Sequence, residues 1–454
     1  MYKVHLTSLG CPKNLVDSEV MLGLLLERGL TAVAEPEEAD LLLVNTCGFI
    51  QSAVEEGIDT ILELLERKRE STVKVVVTGC MVKRYGAELV RELPEVDLFL
   101  GPDEVPAIGE RLASLLASEQ RAPQGAPAGS RFQGSSAVSG FLMDSSLPRK
   151  LATPSHRAYL KVTEGCNNRC SYCLIPALRG PLRSRSVPDL VAEARALEGA
   201  GVKELTLVAQ DLTAYGSDQR GAPRLPELLT ALLAETAIPW LRLLYLYPTR
   251  VETRLLQLVA DNPRITPYFD IPLQHVAEPL LKAMNRPYGE TQIRELVARI
   301  RQLVPQAAIR STFIVGFPGE SEEHHERLAA FLRDCRLEQV GIFTYFPEEG
   351  SPAAGLAEQC ADELKEDRRG RLMALQAEIS LEINRARVGT VEEVLVEGVS
   401  AETDLLLAGR TRYQAPEIDG CVYLTEGHCR AGDLVRVRID EAHPYDLVGA
   451  IMTD

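Results

Sequence analysis

Three cysteines stand within eight residues in Cys166-Asn-Asn-Arg-Cys170-Ser-Tyr-Cys173, directly after the apolar run AYLKVTE. A loop with this spacing can place three thiolates around one metal centre. Structural zinc takes four ligands, and the next candidate, His156, precedes the run. Cysteine thiolates also hold iron-sulfur clusters. Three of them leave one iron of a 4Fe-4S cluster without a protein ligand, so that iron must bind something else. The competing reading is three unrelated or zinc-binding cysteines.

Cys11, Cys47 and Cys80 are distant in sequence but share a context. They appear as Ser-Leu-Gly-Cys11, Val-Asn-Thr-Cys47 and Val-Thr-Gly-Cys80, each just past a predicted strand. In a parallel sheet the strand C-termini share one edge, where ligands collect. One edge would therefore gather three thiols into a second cluster site. The alternative is three core cysteines, since free cysteine is often buried. Cys335 reads as core on an apolar helical face, and Cys360 has no grouping. Cys421 and Cys429 flank Thr425-Glu-Gly-His428, as a metal hairpin or, preferably, as one strand and one turn cysteine. His324 and His325 open a predicted helix and read as solvated. Arg179, Arg183 and Arg185 either recognise a carboxylate or phosphate or form a solvated basic loop. Gln210-Asp211, Tyr247-Pro248 and Gln274-His275 fall at predicted strand ends, facing a reaction chamber or satisfied locally.

The elements that must hold these residues follow from periodicity. VHLTSL, DLLLVNT and VKVVVTG read as strands, with helical patterns at Asp17–Glu27 and Ala53–Arg67 between them. Such alternation implies a parallel sheet covered by helices. Between Ala117 and Lys150 the composition turns to Ser, Gly, Ala, Pro and Gln. Such a segment buries too little apolar surface to order itself, and it reads as a linker. From Ala152 six strand candidates recur: AYLKVTE, ELTLVAQ, LRLLYLY, ITPYFDI, AIRSTFIVG and QVGIFTYF. Six strand-helix units suit a partial (β/α) barrel with function at the strand C-termini. A polar helix near Asp362–Arg387 leads to five short strands with Gly-marked turns, a small all-β barrel. The fold class is thus α/β with a terminal β-barrel, and the expected domains are 1–116, the linker 117–150, 151–384 and 385–454.

Composition sets limits. The 454 residues carry 49 Lys+Arg against 65 Asp+Glu, a net charge of −16, so no global field attracts nucleic acid or anionic lipid. No apolar run approaches a membrane span, and MYKVHLTSLGCPKN lacks the features of a signal peptide. The expected location is cytoplasmic, where ten cysteines point to metal or redox chemistry rather than disulfides.

Cys-x3-Cys-x2-Cys after the first strand of a six-unit barrel resembles the radical S-adenosylmethionine superfamily. That resemblance implies that the open iron chelates S-adenosylmethionine and that an electron from the cluster splits it to a 5′-deoxyadenosyl radical. It also implies cofactor contacts for Tyr172, matching an aromatic near adenine, and for Gly316 in Ile314-Val-Gly-Phe-Pro-Gly-Glu320. A core tyrosine and an ordinary turn glycine are the plainer readings. The whole layout is similar to the methylthiotransferase family: a three-cysteine N-terminal domain, a radical core and a TRAM barrel. Ser8-Leu-Gly-Cys-Pro-Lys-Asn-Leu-Val-Asp-Ser-Glu19 and Glu164-Gly-Cys-Asn-Asn-Arg-Cys-Ser-Tyr-Cys-Leu-Ile-Pro176 resemble its RimO-type branch. That branch adds a methylthio group to the β-carbon of an aspartate in small-subunit ribosomal protein twelve. The resemblance implies two 4Fe-4S clusters, on Cys11, Cys47, Cys80 and on Cys166, Cys170, Cys173. It also implies S-adenosylmethionine and a low-potential donor such as flavodoxin or ferredoxin. Residues 385–454 hold 7 Arg and no Lys against 13 Asp+Glu, a balance of −6. This suits a basic protein surface better than a phosphate backbone, so nucleic-acid binding should not dominate. The alternatives are modification of a tRNA adenosine, or a non-catalytic iron-sulfur protein that binds RNA or the ribosome.

Overall fold

A computed structural model describes residues 2–69, 72–118, 141–220 and 224–452. Most of the expected linker, residues 119–140, lies outside the described residues. The chain forms two compact units. One comprises residues 1–152, 161–169 and 173–190, the other 153–160, 170–172 and 191–454.

The first stretch runs β1 (Lys3–Ser8), α1 (Pro12–Glu27), β2 (Thr31–Ala32), β3 (Leu41–Thr46), α2 (Gln51–Arg69), β4 (Lys74–Gly79), α3 (Cys80–Glu92), β5 (Leu98–Leu100) and α4 (Ile108–Ser118). The strands make one parallel sheet in the order β2-β1-β3-β4-β5. Leu41 to Val44 and Val75 to Val77 are fully buried. A parallel strand covered on both faces is apolar at successive positions, which explains the unbroken runs in β3 and β4. The short edge strands β2 and β5 were not among the expected elements, because two or three residues show no period.

The chain continues through β6 (Arg157–Lys161), β7 (Thr163–Glu164), α5 (Ile175–Arg179), β8 (Arg183–Ser184), α6 (Val187–Gly199), β9 (Glu204–Val208), α7 (Ser217–Arg220), α8 (Leu225–Glu235) and β10 (Trp240–Leu243). There follow α9 (Thr253–Asp261), β11 (Tyr268–Asp270), α10 (Glu278–Ala283), α11 (Glu290–Leu303), β12 (Ala308–Val315), α12 (Glu322–Cys335), β13 (Gln339–Thr344) and α13 (Asp362–Arg385). The six expected barrel strands fall into two sheets, β10-β9-β6 and β11-β12-β13, linked by a parallel bridge between Leu241 and Ile265. This is the open six-unit barrel.

The tail supplies β14 (Val391–Val399), β15 (Leu407–Thr411), β16 (Val422–Leu424), β17 (Leu434–Ala442) and β18 (Leu447–Ile451), closed as β14-β15-β16-β18-β17. Val394, Val396, Val422, Leu424, Val437, Ile439 and Leu447 fill it. Closure removes the exposed edges that five short strands would otherwise present.

Within the second unit a buried ionic chain joins this small barrel to the strands of the larger one. Glu204 on β9 accepts from Arg242 on β10 and from Arg410 on β15. Arg410 also pairs with Glu397, which His156 holds at 3.1 Å. Burial would raise the Glu204 carboxyl, but the charges of Arg242 and Arg410 outweigh it and hold it at about 2. An unfolded glutamate titrates near 4.3. The depressed value therefore contributes stability that is fully present above about pH 4.3 and is lost as pH falls toward 2. Glu204→Gln leaves two buried guanidiniums without their shared partner and should cost about 3–5 kcal/mol. Thermal unfolding of the apoprotein should show a lower midpoint for the variant at pH 7, with the gap closing on acidification. A gap independent of pH would contradict this account.

Candidate metal centres

β1, β3 and β4 are neighbours in the sheet, and each ends in a turn that carries a cysteine. Cys11 is the N-cap of α1, Cys47 follows β3, and Cys80 begins α3. The turns pack so closely that side chains are excluded. Gly10 has φ +89, and a β-carbon there would lie 2.7 Å from Cys47 Cβ and 3.2 Å from its sulfur. Gly79 has φ +105, and a β-carbon there would lie 2.3 Å from the Thr46 carbonyl oxygen. Buried polar side chains fix the strand ends: Asn14 donates to the Leu9 carbonyl at 2.7 Å, and Asn45 to the Asn14 carbonyl at 2.9 Å and to Ser18 at 2.8 Å. The structure thus brings the three N-terminal cysteines to one sheet edge.

Their thiols feel different surroundings. Burial alone would raise Cys11, but Lys13, Arg179 and the N–H groups of Asn14 and Lys13 hold it below the ordinary thiol value. Burial, reinforced by the neighbouring Cys80 and Cys11, pushes Cys47 up to about 11. Burial also raises Cys80, against the opposing charge of Arg179. Helix N-termini and cations favour thiolate, so this donor set fits an iron-sulfur centre once protons are displaced.

The central cysteines occupy the loop between β7 and α5. Backbone N–H groups point at two of the sulfurs, Asn168 at Cys166 and Ile175 at Cys173, both at 3.4 Å. Such donors stabilise negative charge on sulfur. Gly165 has φ +74, and a β-carbon there would lie 2.1 Å from the Pro181 carbonyl oxygen, so the base of the loop closes tightly. Tyr172 packs against the cluster of Ala277, Leu280, Met284, Phe317, Tyr345 and Ala353, and its hydroxyl accepts from Arg286 at 2.9 Å. Ile314 packs against the same cluster, so Tyr172 and the segment around Gly316 face a common apolar wall. Gly316 has φ +72, and the space beside its α-carbon is taken by Lys365, whose Cγ would lie 2.1 Å from a β-carbon. Its N–H is donated to Glu320.

Several residues stand differently from their sequence reading. Arg179 and Arg185 are not solvated; they are 4% and 2% exposed. Arg185 pairs with Asp189 at 2.7 Å and donates to the Lys161 carbonyl at 3.0 Å. Arg179 joins a buried group with Asp17, Lys161 and Glu164 that sequence reasoning missed. The available signal was charge inside apolar stretches: Asp17 to Glu19 lie between Val16 and Val20, and Lys161 between Leu160 and Val162. His325 is likewise buried rather than solvated, its Nε2 3.3 Å from the Arg368 carbonyl. Among the described residues Glu322, His325 and Glu326 have ligand atoms within 4.8 Å of one another. Arg371 already bridges the two carboxylates at 2.7 and 2.5 Å, so a guanidinium serves as the cation there. Cys335 is half-buried at the end of α12, not core. His275, at a predicted strand end, is satisfied: its Nδ1 accepts from the N–H groups of Val276 and Ala277, and its Nε2 faces Glu320 at 3.2 Å. Asp211 accepts from Thr213 at 2.6 Å and pairs with Arg250. Among the described residues no helix is long and apolar enough to cross a membrane.

Family models match at residues 3–101 (an uncharacterized protein family, UPF0004), 160–332 (the radical SAM superfamily) and 388–452 (the TRAM domain). A protein of Desulfotalea psychrophila, named ribosomal protein uS12 methylthiotransferase RimO, is 51% identical over 99% of both chains. A protein of the same name from Geobacter sulfurreducens is 46% identical over 99% of both. The chain belongs to the RimO family of methylthiotransferases. A solved structure of the radical S-adenosylmethionine methyltransferase TsrM from Kitasatospora setae aligns with TM-score 0.56 at 16% identity. That alignment covers 87% of this chain and 78% of that one, and supports the fold alone.

Cys47, at about 11, and the raised Cys80 are protonated at neutral pH. Ligation must expel those protons, so affinity rises with pH. Anaerobic loading with ferrous iron should strengthen between pH 6.5 and 8.5, by about tenfold per unit for each proton released. Iron retained after gel filtration at each pH is the readout. Retention that falls or stays level with rising pH would contradict these thiol environments.

Proposed function

We propose that this chain is a radical S-adenosylmethionine enzyme that adds a methylthio group to the β-carbon of an aspartate in ribosomal protein uS12. The observation that carries the reading is the 51% identity across 99% of both chains with a protein named for that activity. Cys166, Cys170 and Cys173 would hold a 4Fe-4S cluster with one open iron for S-adenosylmethionine, and Cys11, Cys47 and Cys80 a second cluster. Loaded, these groups supply a radical able to take hydrogen from an unactivated carbon, and sulfur for the methylthio group.

The chain itself orients and shields. Gly10 and Gly79 allow three cysteine-bearing turns to close on one another. Tyr172, kept in place by Arg286, and Ile314, two residues before Gly316, offer an apolar wall for the cofactor. Low-potential clusters sit near about −400 mV, below the glutathione pool at roughly −220 to −320 mV. A flavodoxin-type or ferredoxin-type donor therefore belongs to the reaction. Among the barrel acids, Glu402, Asp404, Glu426, Asp433, Asp440 and Glu441 are exposed. Their charge suits a basic ribosomal protein and speeds encounter more than it tightens binding. Glu397 and Asp419 are engaged internally instead.

Reconstituted enzyme, S-adenosylmethionine, dithionite and uS12 should yield one methylthio group on an aspartate, read by mass spectrometry of peptides. Cys166→Ala with Cys170→Ala and Cys173→Ala should abolish both that product and 5′-deoxyadenosine. Methylthiolation of tRNA with uS12 untouched would overturn the reading.

A further inference from the structure

Arg179 is the last residue of α5, the helix that follows the central cysteine loop, yet its side chain ends at an N-terminal cysteine. The guanidinium is almost wholly buried. Its Nε donates to Cys80 Sγ at 3.0 Å, Nη1 to Asp17 at 2.7 Å and, more weakly, to Glu164 at 3.4 Å, and Nη2 to Asn14 Oδ1 at 3.0 Å. All three nitrogens have partners, and one of those partners is sulfur. Asn14 and Asp17 sit on α1 beside Cys11, while Glu164 adjoins Gly165 and Cys166. Lys161 pairs with both carboxylates. Two carboxylates against two cations leave the group neutral. The guanidinium plane is fixed by oxygen acceptors on two of its nitrogens, so the third N–H is aimed rather than free. Leu174 and Leu178 pack with Cys80 and keep water from the contact.

We propose that Arg179 is a positioning residue shared by both cysteine sets: it directs an N–H at the Cys80 sulfur and thereby raises the reduction potential of the cluster held there, while its bonds to Asp17 and Glu164 lock the base of the central loop. The inference rests on the two-cluster reading above. Hydrogen bonds to ligand sulfur, and nearby positive charge, favour the reduced and more negative cluster. A low-dielectric site strengthens both effects. Arginine stays protonated, so the effect keeps its sign at every working pH. Lysine keeps the charge but not the fixed fork of donors, and glutamine loses the charge.

The test is an EPR-monitored redox titration of the full chain carrying Cys166→Ala, Cys170→Ala and Cys173→Ala, so that Cys11, Cys47 and Cys80 alone hold iron. Compared with Arg179, Arg179→Gln should lower the reduction equilibrium at least tenfold, about 59 mV for one electron, with Arg179→Lys between them and iron content unchanged. Should Arg179→Gln fail to fold, Asp17→Asn with Arg179→Gln removes one charge of each sign and should show a smaller lowering, the part due to the lost N–H donation to Cys80. Equal potentials in all iron-loaded variants would overturn the role of Arg179 alone. A chain that binds no iron through Cys11, Cys47 and Cys80 would overturn the two-cluster reading itself.

Discussion

Asp17, Lys161, Glu164 and Arg179 place four charges where almost no water reaches. A buried pair gains little over apolar packing of the same shape, but removing one partner strands the others at a cost of about 3–5 kcal/mol. The group must therefore form as a set. Its members come from α1, the end of β6, β7 and the end of α5. Forming it fixes where α1 begins, and so where Cys11 stands. It also fixes where the central loop leaves β7 and returns through α5. Burial and the surrounding cations set the balance for Glu164, which is held at about 2 by Lys161 and Arg179 in spite of desolvation.

Around that constraint the fold supplies edges and turns. A parallel sheet delivers three strand ends side by side, and glycines with positive φ at positions 10 and 79 let the turns approach closely. Any side chain there would strike Cys47 or Thr46. In the second unit the same principle recurs with different residues. The Gly316 turn is pinned by Glu320, which also takes His275 and Arg368. The terminal barrel is held to the larger barrel by Glu204, Arg242, Arg410 and Glu397.

The placement of Cys11, Cys47 and Cys80 at strand ends, the parallel sheet, the six barrel strands and the closed terminal barrel were legible because each leaves a local mark. Cysteine spacing, apolar runs after which glycine or cysteine follows, and Gly-marked turns are all features of contiguous sequence. The ionic networks were not legible in this way. Asp17 and Arg179 are remote in sequence, and their pairing depends on how α1 meets the segment after β6. Arg179 and Arg185 sit in the basic string LRGPLRSRS, which by composition alone resembles a solvated loop. His325 looked exposed for a similar reason, since its flanking glutamates are polar, but helical geometry turns its ring inward to the Arg368 carbonyl. Charges interrupting apolar stretches, as at Asp17 and Lys161, were the usable clue.

In the proposed function one chain carries two separate iron-sulfur centres, each on its own three cysteines. Mössbauer spectroscopy of the full chain reconstituted anaerobically with iron-57 and sulfide measures this directly. The account predicts about eight iron atoms per chain, all in 4Fe-4S signatures, with about half remaining after loss of either cysteine set. One cluster per chain, or loss of all iron when either set alone is removed, would contradict it.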